Sequence, residues 1–467
     1  MKLNEELQNL DPQVYMELLK AAALLGAASV NADDEPNWFD PKTHKVDEVE
    51  FCHWFMVKHP IKSVGGHFYD IDGLVNNEKL AKEIIDDLKP YVKSGLVLRA
   101  NRLIEMLRYE ALCDDLPKHT DRVHFMNGTY FLSGGFASEK EFCSNRLRVN
   151  YNPDAPKPDA WLNFVDELLY PEDIATLQEF MGYMFIPTTK AQVMFMLIGS
   201  GGEGKSRVGF VCRNLLSDNM NVCSLKKLSS DRFCPADQEG KLLMIDDDMR
   251  MEALPDTGVL KSIVTMEGKM DLERKGQQSY QGYLYVRIMA FGNGALSSLY
   301  DKSDGFYRRQ IVIRVKDKPE ERVDDRNLSE KLAKESEGIA LWCLEGLIRL
   351  AANGFNFTIS DRTKRNQDEL RRDEDSILDF LESEGYIAYA PEAMCTTKDF
   401  YDAYKLWCED NLAKIRSETS FSKEVKELSR KYNIAYVKNV PTDGKMARGY
   451  KGVYALHPLK GCPFPYR

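Results

Sequence analysis

GSGGEGKS, residues Gly199–Ser206, directly follows the apolar run Val193–Ile198. The eight residues fit the pattern G-x-x-x-x-G-K-[ST], a loop whose backbone N–H groups turn inward to cradle phosphates. A strand before the loop and a helix-compatible stretch after it, Arg207–Leu216, supply the setting that such a loop needs. The positive end of that helix favours an anion. The reading assigns nucleotide binding to Gly199, Ser200, Gly201, Gly202, Glu203, Gly204, Lys205 and Ser206. Lys205 is expected on the β- and γ-phosphates of ATP and Ser206 on Mg²⁺.

A second motif follows at a suitable distance. Lys241–Asp248 reads KLLMIDDD. Leu242–Ile245 has the unbroken apolar character of a parallel-sheet strand, and acids at its C-terminal end lie where open α/β sheets bind ligands. Phosphoryl transfer needs one carboxylate for the metal and one to orient the attacking water. Asp246 is expected to take the metal and Asp247 the water, with Asp248 to spare.

The chain has 467 residues, enough for about three domains. Hydrophobic residues make up 43%, which supports ordinary buried cores, and the formal net charge of −10 excludes a surface coated throughout in nucleic acid. Ten cysteines without a C-x-x-C or a Cys/His zinc spacing are expected to be reduced thiols, which points to a cytoplasmic protein. Cys52, His53 and His59 read as ordinary core or surface residues. No segment reaches the roughly 18 apolar residues of a membrane span, and Leu18–Val30 reads as a helix of a soluble domain.

The remaining chain divides into four parts: an N-terminal α+β region over 1–120, a helical collar or oligomerisation region over 121–190, an NTPase motor over 191–360, and a last domain over 376–467. In the first, His67–Leu74 is a possible hairpin, with Asp70 and Asp72 in its turn rather than a metal pair. Val123–Leu132 reads as two strands around the Asn127-Gly128 turn signal. Asn150–Trp161 is a Pro-rich connector, and Leu162–Met184 has helical periodicity. Strands are expected over Tyr283–Phe291 and Gln310–Val315, helical patterning over Leu328–Ala352, and a solvated linker or exposed helix over Gly354–Asp375. Beyond it, Thr397–Asn411 and Ser420–Tyr432 read as helices. Tyr436–Val440 and Tyr450–Leu456 read as strands around a Thr442–Gly449 turn, the order of a winged helix.

Three further features suit an ATP-driven motor. Asn293, at the end of Tyr283–Phe291, can sense the γ-phosphate. Arg308 and Arg309, before the next strand, can supply transition-state charge across a subunit interface. Lys269–Gly282 reads as an exposed polar hairpin with Lys275-Gly276 near its centre, suited to a phosphate backbone.

The series GSGGEGKS, LLMIDDD, LERKGQQ, IMAFGNG and GFYRRQIVI resembles the superfamily 3 helicases, and most closely the phage and plasmid primase–helicase family with its poxvirus relatives. Upstream, MNGTYFL, VNYNPDAPKPDAWLNFVDELL and LQEFMGYMF resemble the helical region that precedes the motor there. Replication initiators of phage-inducible chromosomal islands are plausible close relatives. The resemblance covers roughly residues 65–320. It implies an AAA+ P-loop core, a homo-oligomeric ring that is usually a hexamer, ATP bound between subunits, and translocation on single-stranded DNA. It further implies Lys275 as the pore-hairpin lysine, Asn293 as the sensor, and Arg308 or Arg309 as the arginine finger. Gly276 departs from relatives that carry a larger or basic residue there. The residues before the match offer neither a catalytic carboxylate set nor zinc-binding cysteines, so no primase activity is expected.

The expected function is therefore an ATP-dependent helicase acting on single-stranded and forked DNA in replication of a phage or mobile element, with origin duplex binding by the C-terminal domain. Asn411–Lys451 carries ten Lys/Arg against four Asp/Glu, a local +6. Lys423, Lys426, Arg430 and Lys431 line the candidate recognition helix, and Lys445 and Arg448 the wing. Such charges contact mainly phosphates. The alternatives are a nucleotide-switched loader or regulator that does not unwind, and a packaging or RNA-directed motor.

Overall fold

The computed structural model describes residues 36–249, 257–266, 268–293, 304–319, 321, 325–411, 413, 415–429, 431–442 and 445–456. The helix expected over Leu18–Val30 lies outside them, as does Arg430. Five strands form one sheet around the phosphate loop, in the order Met220–Val222, Leu243–Met249, Arg287–Gly292, Met194–Ile198, Gln310–Arg314. Every neighbouring pair is parallel. All five residues of Met194–Ile198 are buried, because alternate side chains feed opposite faces. Phe195 and Leu197 pack with Phe180, Val211 and Leu215 on one side, while Met194, Met196 and Ile198 pack with Leu260, Ile263 and Phe306 on the other. The result is the mixed α/β core expected of a phosphate-loop protein.

The strand expected over Tyr283–Phe291 starts only at Arg287. Leu284, Tyr285 and Val286 are buried without a ladder partner, and Tyr285 instead donates its hydroxyl to Asn145 Oδ1 at 2.8 Å. The helical stretch Leu162–Met184 is two helices, Asp159–Leu168 and Pro171–Tyr183. The break follows from Pro171, which sits in the first turn of the second helix and holds Tyr170 extended at φ −69°, ψ 143°. Leu328–Ala352 is likewise divided, into Leu328–Lys334 and Ser336–Ala352. This last helix crosses Pro171–Tyr183 where both carry glycine. A Cβ on Gly182 would lie 2.2 Å from the Cys343 carbonyl oxygen, and one on Gly346 would lie 2.3 Å from that of Gln178.

The segment over 121–190 shares one continuous hydrophobic core with the parallel-sheet region, from Val123 through Phe180 to Leu347. Its hairpin pairs Arg122–Phe125 with Gly128–Phe131 around Met126-Asn127, one residue earlier than the turn signal suggests. Asn127 accepts from Tyr151 N–H and donates to its carbonyl oxygen, both at 2.8 Å. Buried Arg146 joins the segments: its guanidinium donates to the carbonyl oxygens of Ile71, Phe125, Gly128 and Glu141. Before it, helices Glu48–Lys58, Asn77–Leu88 and Leu96–Glu110 enclose a separate core of Trp38, Phe51, Phe55, Leu80 and Leu103. Asp70 and Asp72 form a turn, with Asp72 N–H donating to Asp70 Oδ1 at 2.7 Å.

Of the two expectations for the charged stretch, linker or helix, the structure shows helix: it is part of the 22-residue helix Asp361–Glu382. Asn366 and Gln367 donate to the carbonyl oxygens of Val312 and Gln310, covering the edge strand of the parallel sheet. The helix then sends Ile377, Phe380 and Leu381 into the C-terminal core with Phe400, Tyr404, Phe421 and Tyr450. That C-terminal unit continues with strand Ile387–Thr396, helices Thr397–Asp410 and Glu418–Leu428, and strands Ala435–Thr442 and Lys445–Ala455. The sheet is antiparallel, with Lys445–Ala455 in the middle. The second helix stops at Leu428, so Lys431 falls in the following turn, bonded to Glu382 at 3.0 Å. Among the described residues no helix is long and apolar enough to cross a membrane.

Candidate nucleotide site

The phosphate loop leaves the C-terminal end of strand Met194–Ile198 and enters helix Lys205–Leu216. Gly201, Gly202 and Gly204 have φ of +116°, +82° and +108°, values at which a side chain is strained. The helix has no side-chain cap on its N-terminus, so its first N–H groups remain open to an anion. Gly209 seats the helix on the sheet, since a Cβ there would lie 2.9 Å from the Phe291 ring. Gly199 N–H donates to the Gly292 carbonyl at 3.1 Å, which ties the loop to the neighbouring strand.

The loop opens on a cleft of about 380 Å³. Gly201 through Arg207 line one wall, and Asp247, Asp248 and Asn293 line another. The sequence motifs thus converge on one space at the C-terminal edge of the sheet, where open α/β folds bind ligands. Ser200 is exposed and outside that lining. Lys205 is nearly buried. Its ammonium donates to Glu203 Oε2 at 2.7 Å and to the Gly199 carbonyl at 3.3 Å. Glu203, also buried, accepts from Gly201 N–H at 2.7 Å. Burial raises the Glu203 pKa, but Lys205 and the backbone N–H groups of Glu203 and Gly201 outweigh it and hold the carboxyl below its usual value.

The acids differ in placement from the sequence reading. Asp246 is buried off the cleft, accepting from Leu225 N–H at 2.7 Å, and burial holds its pKa up. Asp247 and Asp248 are both exposed on the cleft. The cause is a bulge. Asp246 pairs with Ala290 and Met249 with Gly292, so three steps on one strand face two on the other. The extra residue turns consecutive side chains to the same space, as bulges beside functional sites do. The hydroxyl of Ser206 and the two carboxylates offer hard oxygen donors, the chemistry that suits Mg²⁺. The motifs do not reveal Arg207, Asp325 and Leu328, which also line the cleft. Arg207 donates to Ser329 Oγ and Asp325 accepts from Lys331 at 2.7 Å.

Arg308 and Arg309 lie elsewhere. They precede strand Gln310–Arg314, whose Gln310 pairs with Met194 and whose Arg314 pairs with Ile198. That puts them at the sheet edge opposite the cleft, about 16 Å away at ~3.3 Å per strand residue, with Arg308 exposed. They cannot reach the cleft of their own chain. Lys275 is exposed at the turn of the hairpin Met270–Leu272 and Tyr280–Gly282. Gly276 beside it has φ +76°, which explains glycine at this turn. Arg274 instead bonds Glu239 at 2.7 Å. In the C-terminal unit, Lys423, Lys426 and Arg448 are exposed. The backbone of Lys445 pairs with Thr442, and its side chain lies outside the described residues.

Residues 197–309 match a family of unknown function, DUF5906. No curated protein matches the chain. Among solved structures, the A-form apo structure of the NrS-1 C-terminal region aligns over 84% of this chain and 95% of that one, at 12% identity and a TM-score of 0.45. A further apo structure of that region aligns over 87% and 99%, at 11% identity and a TM-score of 0.46. A JCV helicase bound to an acetamide compound aligns over 46% of this chain and 59% of that one, at 14% identity and a TM-score of 0.25.

Proposed function

We propose that this chain is an ATP-hydrolysing DNA helicase of the superfamily 3 kind, working as a ring of copies in replication of a phage or mobile element. The observation that carries the reading is the convergence of the glycine loop, Lys205, Ser206, Asp247, Asp248 and Asn293 on one cleft. Lys205 exchanges Glu203 for the β/γ-phosphates, and the open helix N-terminus receives phosphate oxygens. Ser206 with Asp247 or Asp248 holds Mg²⁺, which neutralises charge developing on the phosphates. The other acid orients the attacking water, and Asn293 contacts the γ-phosphate. In this reading the acidic pair lies one residue further along than the sequence motif suggests.

Two locations favour a ring over a lone subunit. Arg308 and Arg309 are too far from their own cleft to serve it, so a role as arginine finger requires a neighbouring copy. Lys275 stands exposed on a hairpin two strands away from the phosphate loop in the chain, free of the nucleotide and suited to a phosphate backbone. The helix–strand–helix–helix–strand–strand order after Asp361 supports a winged helix, with Lys423 and Lys426 toward duplex DNA and Arg448 on the wing.

The test is displacement of one strand of a forked DNA by the purified chain with MgATP. Unwinding that Lys205→Ala abolishes supports the motor. ATP hydrolysis without unwinding supports the loader.

A further inference from the structure

We propose that the hairpin sheet preceding the motor carries a transition-metal site, formed by His119, His124 and Glu141, that takes Zn²⁺. These three residues, from different segments, bring one imidazole nitrogen each and a carboxylate oxygen within 4.8 Å of one another. His119 lies in the coil before strand Arg122–Phe125, His124 on that strand, and Glu141 in the coil after strand Phe136–Ala137. His119 Nε2 is 3.6 Å from Glu141 Oε2, and His124 Nδ1 is 3.8 Å from Glu141 Oε1. A tetrahedral Zn²⁺ with bonds of about 2.0–2.1 Å spaces its donors about 3.3 Å apart, so the three donors draw together as the ion binds.

A second observation points to a ligand. The buried Nε2 of His119, the atom that faces Glu141, has no hydrogen-bond partner. A buried imidazole nitrogen without a partner carries a desolvation cost that a bound cation would remove. An outer contact orients the carboxylate as in metal sites: Arg122 Nη1 donates to Glu141 Oε1 at 3.2 Å. Two imidazoles and one carboxylate form a borderline set that suits Zn²⁺ over Mg²⁺ or Ca²⁺. Such a clip would hold the three-stranded sheet closed beside the seam where Lys140 bonds Asp72 at 2.6 Å.

The test uses the full chain, stripped by chelator and titrated with Zn²⁺ against a chromophoric competitor. Co²⁺ then reports ligand geometry through its visible bands. His119→Ala and Glu141→Gln are the variants, since both side chains are partly exposed and the fold should survive. Metal-free melting curves of the variants check this. The expected result is one tight Zn²⁺ per chain, a melting midpoint raised by about 5 °C at saturation, and affinity at least tenfold weaker (roughly the loss for perturbed metal sites) in each variant. Unaltered binding in folded variants, or no stoichiometric Zn²⁺ in the wild type, overturns the site.

Discussion

Glu203→Gln separates the apo and nucleotide-bound states of the phosphate loop. In the structure the Lys205 ammonium is matched by one carboxylate, Glu203, at 2.7 Å, with side chains 10% and 3% exposed. Removing one partner of a buried ion pair costs about 3–5 kcal/mol, because the other charge is left uncompensated. Taking about 3 kcal/mol for a pair at a cleft wall, and ~2–4 °C per kcal/mol for a domain of this size, the apo melting midpoint should fall by about 6–12 °C. Nucleotide phosphates supply the missing negative charge, so the variant should recover most of that loss with MgATP analogue. Because wild-type Lys205 must give up a charge-assisted bond worth about 1.5–3 kcal/mol, the variant should also bind nucleotide about tenfold to a hundredfold more tightly. The pH dependence has a definite sign. The Glu203 carboxyl is held below the usual range for a glutamate, so its contribution is complete above that range and is lost as pH falls through the lowered value. Wild type should lose its advantage over Glu203→Gln in acid. Thermal melts with and without nucleotide, with calorimetric affinities, read all three effects. Equal apo stability and equal nucleotide affinity in the two proteins would refute the exchange of Glu203 for phosphate.

Other perturbations address separate parts of the account. Asp247→Asn should keep nucleotide affinity within about threefold and lose turnover by at least about a hundredfold, the scale of a positioned base; full activity would assign the role to Asp248. If Arg308 or Arg309 is the finger, its alanine variant should lose about 10³-fold or more in ATPase. Mixing that variant with Lys205→Ala should restore part of it, and failure of every mixture would remove the intersubunit site. Gly346→Ala should destabilise by about 1–3 kcal/mol through overpacking against the Gln178 backbone, read as a lower denaturation midpoint without a change in the nucleotide site. Lys275→Ala should leave basal ATPase unchanged and reduce its stimulation by single-stranded DNA.

The phosphate loop was legible because its chemistry is local. Three glycines at positive φ, a lysine and a serine occupy eight consecutive residues between a strand and a helix that the apolar pattern also reveals. The strand of acids was legible to its last apolar residue, Ile245. Which acids face the cleft was not, because the bulge after Asp246 depends on pairing with Ala290 and Gly292, more than forty residues away. Pro171 carries the signal for the break between helices Asp159–Leu168 and Pro171–Tyr183, which periodicity alone joins. The charge of Asp361–Asp375 leaves a solvated linker and an exposed helix both open, and the contacts that anchor the helix come from Asn366 and Gln367 on a strand edge. Arg146 and Asn145, which tie the N-terminal region to the parallel-sheet region through buried carbonyls and Asn219, belong to no motif, and only the fold brings their partners together.

The central claim is that the cleft between Lys205 and Asp247 binds and hydrolyses ATP. Its most direct measurement is phosphate release from MgATP by the wild-type chain and by Lys205→Ala, with melts to verify that both are folded. The account predicts steady turnover in the wild type, raised by single-stranded DNA, and loss of nearly all of it in the variant. Equal turnover in the two folded proteins, or none in the wild type with DNA present, would contradict it.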